Sequence, residues 1–351
     1  MASRHAGCPV TQGWTLLGTF MTSLSSTYWQ VLLAQGVCTG LGNGCLLTPM
    51  SMLVTSYFRR RLPLVMGIAT YGSVTGGLIY PSMVRTLLPS VGFAWTLRAI
   101  GFIQLRTLAI ALVCGRPVKK GSKKGGPVVD WRVFKELPFT LLCVGLFFVS
   151  NGSWVYCTGY RPLLTNSQAF LGVFFPFFFP SSYAREERGM SYTDSINLTL
   201  TLNGIGFAGR LLPSLIARYF GTLNVFIVFV FVSALCMYTW IPVHSTPGLY
   251  AWTTFYSLSV GGVQSLSLAI VPVIISHTSK MGASFGIVFA AIGIGALLGS
   301  PVCGAIIASN NGSYTGAQAF SGSALIVGGL IILASREAER RQSGKGVWTK
   351  M

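Results

Sequence analysis

The chain has 351 residues, 52% of them hydrophobic and only 9% charged, with a mean hydropathy of +0.63. A soluble domain carries about 25% charged residues, so the repeated apolar runs of spanning length indicate a polytopic α-helical membrane protein, and the dyad alternation of an outer-membrane barrel is absent. The net charge of +18 does not mark a nucleic-acid binder, because the positive residues sit in short loops between apolar spans, where they report orientation.

Ten spans are predicted, over residues 13–26, 29–57, 64–88, 94–115, 138–183, 194–217, 223–241, 248–276, 281–308 and 317–334. The leading MASRHAGCPVTQG runs directly into the first span without a small-residue cleavage site, so no signal peptide is expected. Small residues recur at four-residue spacing in Gly36–Gly40–Gly44, Gly72–Gly76 and Gly295–Gly299, a spacing that lets helices pack closely in lipid. The long connection GRPVKKGSKKGGPVVDWRVFKE, residues 115–136, is a flexible basic linker. It separates an amino-terminal bundle of four spans (1–115) from a carboxy-terminal bundle (137–335), which a tail (336–351) follows.

One face of the predicted topology receives Arg4, Arg59, Arg60, Arg61, the Lys and Arg residues between 116 and 135, Arg218, Lys280 and the basic tail. The positive-inside bias therefore places the linker and both termini in the cytoplasm, with the plasma membrane as the expected host. The sequon Asn311-Gly-Ser313 falls on the opposite side. Span 64–88 also resembles span 281–308: with an offset of 219 residues, Gly67 meets Gly286, Gly76 meets Gly295, and Gly77 meets Ala296. Two related halves joined by a basic linker describe a transporter built from internal repeats.

The fifth span is interrupted. VSNGSWVYCTGYRPLLTNSQ, residues 149–168, separates FTLLCVGLFF from AFLGVFFPFFFPSSYA. The first apolar piece alone would cover only about 15 Å, half a bilayer core. Val-Ser can be encoded by an intron start and Gln by an intron end, and removing the segment joins the flanks into one apolar helix. Residues 149–168 are accordingly expected to be a retained intron in a conceptual translation, with a real extracellular loop or re-entrant segment as the alternative.

The stretches TSLSSTYWQVLLAQGVCTGLGNGCLLTP (22–49), YGSVTGGLIYP (71–81), GFAWTLRAIGFIQL (92–105), GRLLP (209–213), FGTLNVF (220–226) and GIGALLGSPVCGAI (293–306) together resemble the fungal monocarboxylate-transporter-like branch of the major facilitator superfamily. The resemblance implies an all-α, two-bundle fold of twelve helices, with about ten (four plus six) here. It also implies alternating access and proton coupling. Trp14–Leu24 looks like the family's third helix, so the first two helices have no counterpart, and a misplaced start codon is one reading. The family's Ala-Asp-Arg-Phe-Gly turn reads Ala217-Arg218-Tyr219-Phe220-Gly221 here, with Arg218 in the acidic place.

All seven acids, Asp130, Glu136, Glu186, Glu187, Asp194, Glu337 and Glu339, lie in loops, tails or span edges. Arg210 is the sharpest intramembrane candidate. In animal members the matching arginine binds substrate carboxylate beside an aspartate four residues earlier, where this chain has Gly206. Two readings of Arg210 stand: an anion contact in a cavity, or a side chain that snorkels to the cytoplasmic edge. Asn203, two turns earlier on the same face, with Tyr71, Trp95 and Gln264, completes the candidate lining. Arg59, Arg60, Arg61, Gly72, Gly76, Gly77, Gly209, Arg218, Gly221, Gly295 and Gly299 are expected in gating or helix packing. Arg106 would lie near the middle of its span, where an Arg costs ~3 kcal/mol on insertion scales.

No GxxxxGK[ST], paired metal ligands or Ser/His/Asp set occurs, so neither an ATP-driven pump nor an enzyme is expected, and no cofactor or metal. The expected function is secondary transport of small organic anions across a lipid bilayer, with protons as the implied coupling ion. The alternatives are a non-transporting truncated membrane protein and a facilitator for a non-carboxylate solute.

Overall fold

The computed structural model describes residues 7–58, 61–114, 131–153, 190, 192–275, 281–310 and 312–344. Every regular element among them is helical. In chain order they are α1 (Gly7–Leu24), α2 (Tyr28–Val31), a π-helical segment (Leu32–Thr39), α3 (Gly40–Tyr57), α4 (Leu62–Ala69), α5 (Tyr71–Cys114), a 3₁₀ turn (Trp131–Lys135), α6 (Leu137–Ser153), α7 (Tyr192–Phe220), α8 (Thr222–Trp240), α9 (Thr246–Ser267), α10 (Val271–Ile274), α11 (Met281–Ser309) and α12 (Thr315–Gln342). Among the described residues six stretches are long and apolar enough to cross a membrane: Tyr28–Thr55, Leu62–Ala111, Asn197–Phe220, Thr222–Trp240, Met281–Ser309 and Thr315–Gln342. The count falls below the expected ten partly because Leu62–Ala111 contains two expected spans.

Those two spans meet at Gly92, whose φ of 77° and ψ of 176° interrupt α5. That backbone region is essentially reserved for glycine. Tyr80 is hydrogen-bonded to Gln104. Along a straight helix these residues would stand about 36 Å apart, so α5 is a hairpin that turns at its glycine.

The described residues form two compact units. One holds 7–53 and 78–114; the other holds 54–58, 61–77 and the described residues from 131 onward. Residues 61–77 join the second unit because Gly67 lies against the Ser214 side chain, where an added Cβ would also meet Arg210 O at 3.1 Å.

In the first unit, Gln30 Oε1 accepts from Ser26 N at 2.9 Å and Thr27 N at 3.3 Å, which starts α2. The π segment that follows sits where α1 crosses it. A Cβ on Gly18 would collide with the Thr39 side chain and lie 2.6 Å from Ala34 O, so the widened turn and the glycine share one close crossing. Gly40 and Gly44 have nothing within 4 Å of such a Cβ, and Gly36 meets only its own neighbour Leu32 at 3.5 Å. The close packing expected of this triplet is made by Gly18 instead.

The second unit contains the larger core, in which Phe139, Leu142, Leu146, Phe226, Val230, Phe285, Leu325 and Ile332 are fully or nearly fully buried. α6 crosses α12 at facing glycines, where a Cβ on Gly328 would meet Val149 N at 2.8 Å and Gly145 O at 2.9 Å. Ser335 Oγ donates to Pro138 O at 2.6 Å at the end of the same pair. α6 continues without a break through Val149–Ser153, so the first residues of the supposed insert extend the helix. The remainder of 149–168 lies outside the described residues. α9 begins at Ser245, whose side chain accepts from Gly248 N at 3.2 Å, ahead of Pro247 in the first turn.

Candidate functional site

The candidate residues converge on α7. Its middle is built for close approach: Gly206 and Gly209 remove side chains from the face that meets α9. A Cβ on Gly209 would lie 2.7 Å from Ser257 O, and one on Gly261 would lie 2.7 Å from the carbonyl carbon of Gly209. Backbone meets backbone there, as expected for a small-residue helix crossing in lipid. Ser257 Oγ donates to Leu202 O, and Ser214 Oγ donates to Arg210 O at 2.8 Å and lies 3.5 Å from Ser265 Oγ. The hydroxyls thus satisfy themselves within the interface.

Arg210 lies in this crossing and is only 3% exposed. Its guanidinium turns back along the helix. Nη1 donates to Gly206 O at 3.3 Å, Nη2 donates to Gln264 Oε1 at 2.5 Å, and Nε has no hydrogen-bond partner. The side chain therefore runs away from the Phe220 end of α7. Ten residues, about 15 Å, separate Arg210 from that end. Among the described residues no carboxylate pairs with it; Glu337 is ion-paired with Arg340 and Arg341 in the last turns of α12.

Tyr71, at the start of α5, packs edge-on against Phe207 with ring centroids 5.0 Å apart. It stands close enough to Arg210 for a direct Coulombic interaction. Asn203 is 1% exposed and donates from Nδ2 to Thr199 O at 3.1 Å. Its amide covers Gly77, where a Cβ would collide with Oδ1 and lie 2.9 Å from Cγ. Gln264 and Tyr71 are half-buried. The structure thus sets Arg210 against Gln264 and beside Tyr71, while Asn203 lies two turns earlier on α7, buried against Gly77.

The remaining candidates are spread more widely. A Cβ on Gly295 would collide with Phe147 O and lie 2.6 Å from Ser150 Oγ, and one on Gly299 would lie 2.7 Å from Asn151 O. These two glycines join α11 to α6. Gly72 has nothing within 4 Å of an added Cβ and so differs from its packing expectation. Gly221 holds φ 93° between α7 and α8, with its N–H donating to Ala217 O at 2.9 Å. Arg218 and Arg61 are exposed. Arg59 and Arg60 lie outside the described residues.

Trp95 is 59% exposed and carries Arg98 over its ring at 5.0 Å, a cation–π pair in the first unit. Arg106 is exposed in that unit. Sequence reading missed polar contacts in the same unit: Thr19 Oγ1 donates to Gln104 Oε1 at 2.9 Å, and Thr15 Oγ1 donates to Asn43 Oδ1 at 3.4 Å. The four-residue recurrence of Thr15 and Thr19 on α1 was the available signal. Among the described residues no group of His, Cys, Asp and Glu could hold a metal ion.

No family model matches the sequence. Curated relatives do. An MFS-type transporter of Gibberella zeae is 40% identical over 323 residues, covering 92% of this chain and 68% of the relative. The fujikurins efflux protein of Gibberella fujikuroi is 31% identical over 338 residues, covering 95% of this chain and 68% of the relative. Among solved structures, the fucose:proton symporter FucP of E. coli superposes with a TM-score of 0.66 at 15% identity, covering 94% of this chain and 83% of that one.

Proposed function

Because the chain belongs to the major facilitator superfamily of membrane transporters, we propose that it carries small organic anions of the monocarboxylate type, with Arg210 as the anion contact. It is an integral membrane protein and a transporter of small molecules, not an enzyme. The observation that carries the anion reading is the buried guanidinium of Arg210, which has neutral acceptors on two nitrogens and none on the third. A buried charge is strongly unfavourable unless it is paired, and a carboxylate with two oxygens matches the fork geometry of a guanidinium. Gln264 supplies an amide beside it, and Tyr71 supplies a phenol and a ring face.

Transport follows alternating access, in which the Arg210 site opens to one side of the membrane and then to the other. The basic loops put both termini on the cytoplasmic side, and the plasma membrane is the proposed host. The relative named as an efflux protein favours export as the physiological direction. Proton coupling, implied by the family resemblance, has little to work through here, because the acids of the chain lie outside its apolar runs.

The test is uptake of radiolabelled lactate, pyruvate and benzoate into vesicles carrying the full chain. Arg210→Ala is expected to abolish uptake at unchanged membrane abundance. Uptake of the three anions that is insensitive to this substitution removes Arg210 from the site.

A further inference from the structure

We infer that Ser343, one residue past the end of α12, is the phosphate acceptor of a protein kinase that reads basic residues. The inference rests on the cytoplasmic placement of the tail and is independent of the anion reading of Arg210.

The chain at the end of α12 reads Arg340-Arg341-Gln342-Ser343-Gly344. Two arginines thus stand three and two residues before a serine. Of the adjacent basic pairs in the sequence, only Lys119-Lys120, ahead of Ser122 in the linker, has a hydroxyl at the same spacing. Kinases select substrates by charge pattern, and a pair of guanidinium groups suits acidic subsites.

The structure presents this serine to a partner. α12 ends at Gln342, and Gly344 takes φ 62°, a left-handed residue that turns the chain out of the helix. Residues 341–344 are exposed. Leu333 is the last large apolar side chain of α12, and the ten residues from it to Ser343 rise about 15 Å along a helix, which carries the hydroxyl past the apolar layer. Ser335, on the same helix, is fully buried and donates to Pro138 O at 2.6 Å, so no enzyme reaches it. Ser343 Oγ instead donates to Glu339 Oε1 at 2.8 Å in an exposed contact, and Glu337 holds Arg340 and Arg341. These contacts lie in the last two turns, where fraying at a helix end releases serine and arginines together.

The transfer balances with ATP as co-reactant. Ser343 Oγ bonds to the γ-phosphorus while the bond from that phosphorus to the β,γ-bridging oxygen breaks. ADP leaves with the electron pair, and the hydroxyl proton passes through the kinase's base to solvent. The product adds roughly two negative charges beside Glu339 and at the carbonyl end of the helix, both of which oppose it. It also offers Arg340 and Arg341 an acceptor that competes with Glu337. The last turn should therefore loosen, next to the place where Arg336 ties α12 to Asn224 at the start of α8.

The experiment incubates the purified full chain in detergent with radiolabelled ATP and the catalytic subunit of a cyclic-AMP-dependent protein kinase. Label is expected in Ser122→Ala and should fall at least tenfold when Ser343→Ala is added. No label in Ser122→Ala, or undiminished label in the double variant, overturns the site. Arg340→Ala with Arg341→Ala should slow labelling of Ser343 at least tenfold in the Ser122→Ala background; an unchanged rate overturns the role given to the arginines. Amide hydrogen exchange over 339–343 should be at least tenfold faster in the phosphorylated chain, and equal exchange overturns the loosening. Sealed vesicles test the placement separately. With kinase and ATP outside, inside-out vesicles should take label and right-side-out vesicles should not. The reverse pattern overturns the cytoplasmic tail and the proposal with it, whereas failure in detergent overturns the site alone.

Discussion

Arg210 donates a 2.5 Å hydrogen bond to Gln264, and the acceptor carries no charge. A cation buried to 3% exposure is thus held by an amide, a main-chain carbonyl and nothing at Nε. Such an arrangement opposes stability to function. A buried cation without a counter-charge keeps an uncompensated desolvation cost, which an apolar residue of similar volume removes.

Arg210→Met is therefore expected to raise the melting temperature of the protein in detergent, or leave it unchanged, while eliminating transport. Arg210→Lys keeps the charge but loses the planar fork, and transport should fall at least ~10-fold, the factor that 1.4 kcal/mol represents. Thermal unfolding followed by intrinsic fluorescence, read beside vesicle uptake, checks both. A Met variant that melts well below wild type would show that the guanidinium stabilises the crossing.

Asn203 and Gly77 form a second coupled pair. The amide occupies the space that a Cβ at 77 would need, and Asn203 is held by its bond to Thr199 O at 3.1 Å. Gly77→Ala should displace the amide and destabilise by about 1–3 kcal/mol, the usual range for overpacking. Once Asn203 is shortened to Ala, the same substitution should cost much less. A double-mutant cycle on unfolding free energies is expected to show a coupling of about 0.5–3 kcal/mol; additive effects would remove the contact.

How far these relations were legible in the sequence differs by level. The helical membrane class followed from apolar runs and low charge, and the residues later found around Arg210 were reachable from helical spacing and the cost of an intramembrane charge. The direction of the Arg210 side chain was not, because spacing along one helix says nothing of which end its guanidinium faces; the bond to Gly206 O decides it. The small-residue motifs were read unevenly. Gly209, Gly295 and Gly299 make close crossings, whereas Gly72, Gly40 and Gly44 do not. A glycine marks permission for close approach, and the partner helix that uses it is a tertiary fact. α6 runs on through Ser150 and Asn151, which are buried beside Gly295 and Gly299; the rest of 149–168 lies outside the described residues. Whether the transcript carries the codons for 149–168 is settled by sequencing it.

The α7–α9 crossing gives a prediction with an internal control. At Gly261 an added Cβ meets the backbone of Gly209 at 2.7–3.1 Å, and backbone cannot rotate away. Gly261→Ala and Gly209→Ala should each destabilise by about 1–3 kcal/mol and disturb Arg210 through α7. Gly72→Ala, with nothing within 4 Å, should be neutral or slightly stabilising, since Ala favours helix over Gly by about 1 kcal/mol. Melting temperatures of the three purified variants rank them; equal losses at all three would contradict the crossing.

Gly92 and Gly221 test backbone conformation separately from packing. Both hold φ in the left-handed half of the map, at 77° and 93°. Gly92 has nothing within 4 Å of an added Cβ, so any penalty for Gly92→Ala comes from the main chain alone. Residues forced into such regions cost about 1–3 kcal/mol. The penalty should appear as lower stability without a change in anion affinity, because the hairpin turn of α5 at Gly92 is remote in sequence from Tyr71 and Gly77. Gly221→Ala should carry a similar penalty, and it acts at the turn that ends α7. Asn224 in the first turn of α8 donates to Phe220 O at 2.8 Å, so strain at 221 is transmitted directly to the last turn of the helix that carries Arg210. Its expected signature is therefore a loss of stability together with a reduced transport rate. Measuring melting temperature and uptake for both variants separates the two turns, and an unchanged uptake rate in Gly221→Ala would mean that the α7 terminus does not communicate with the Arg210 site.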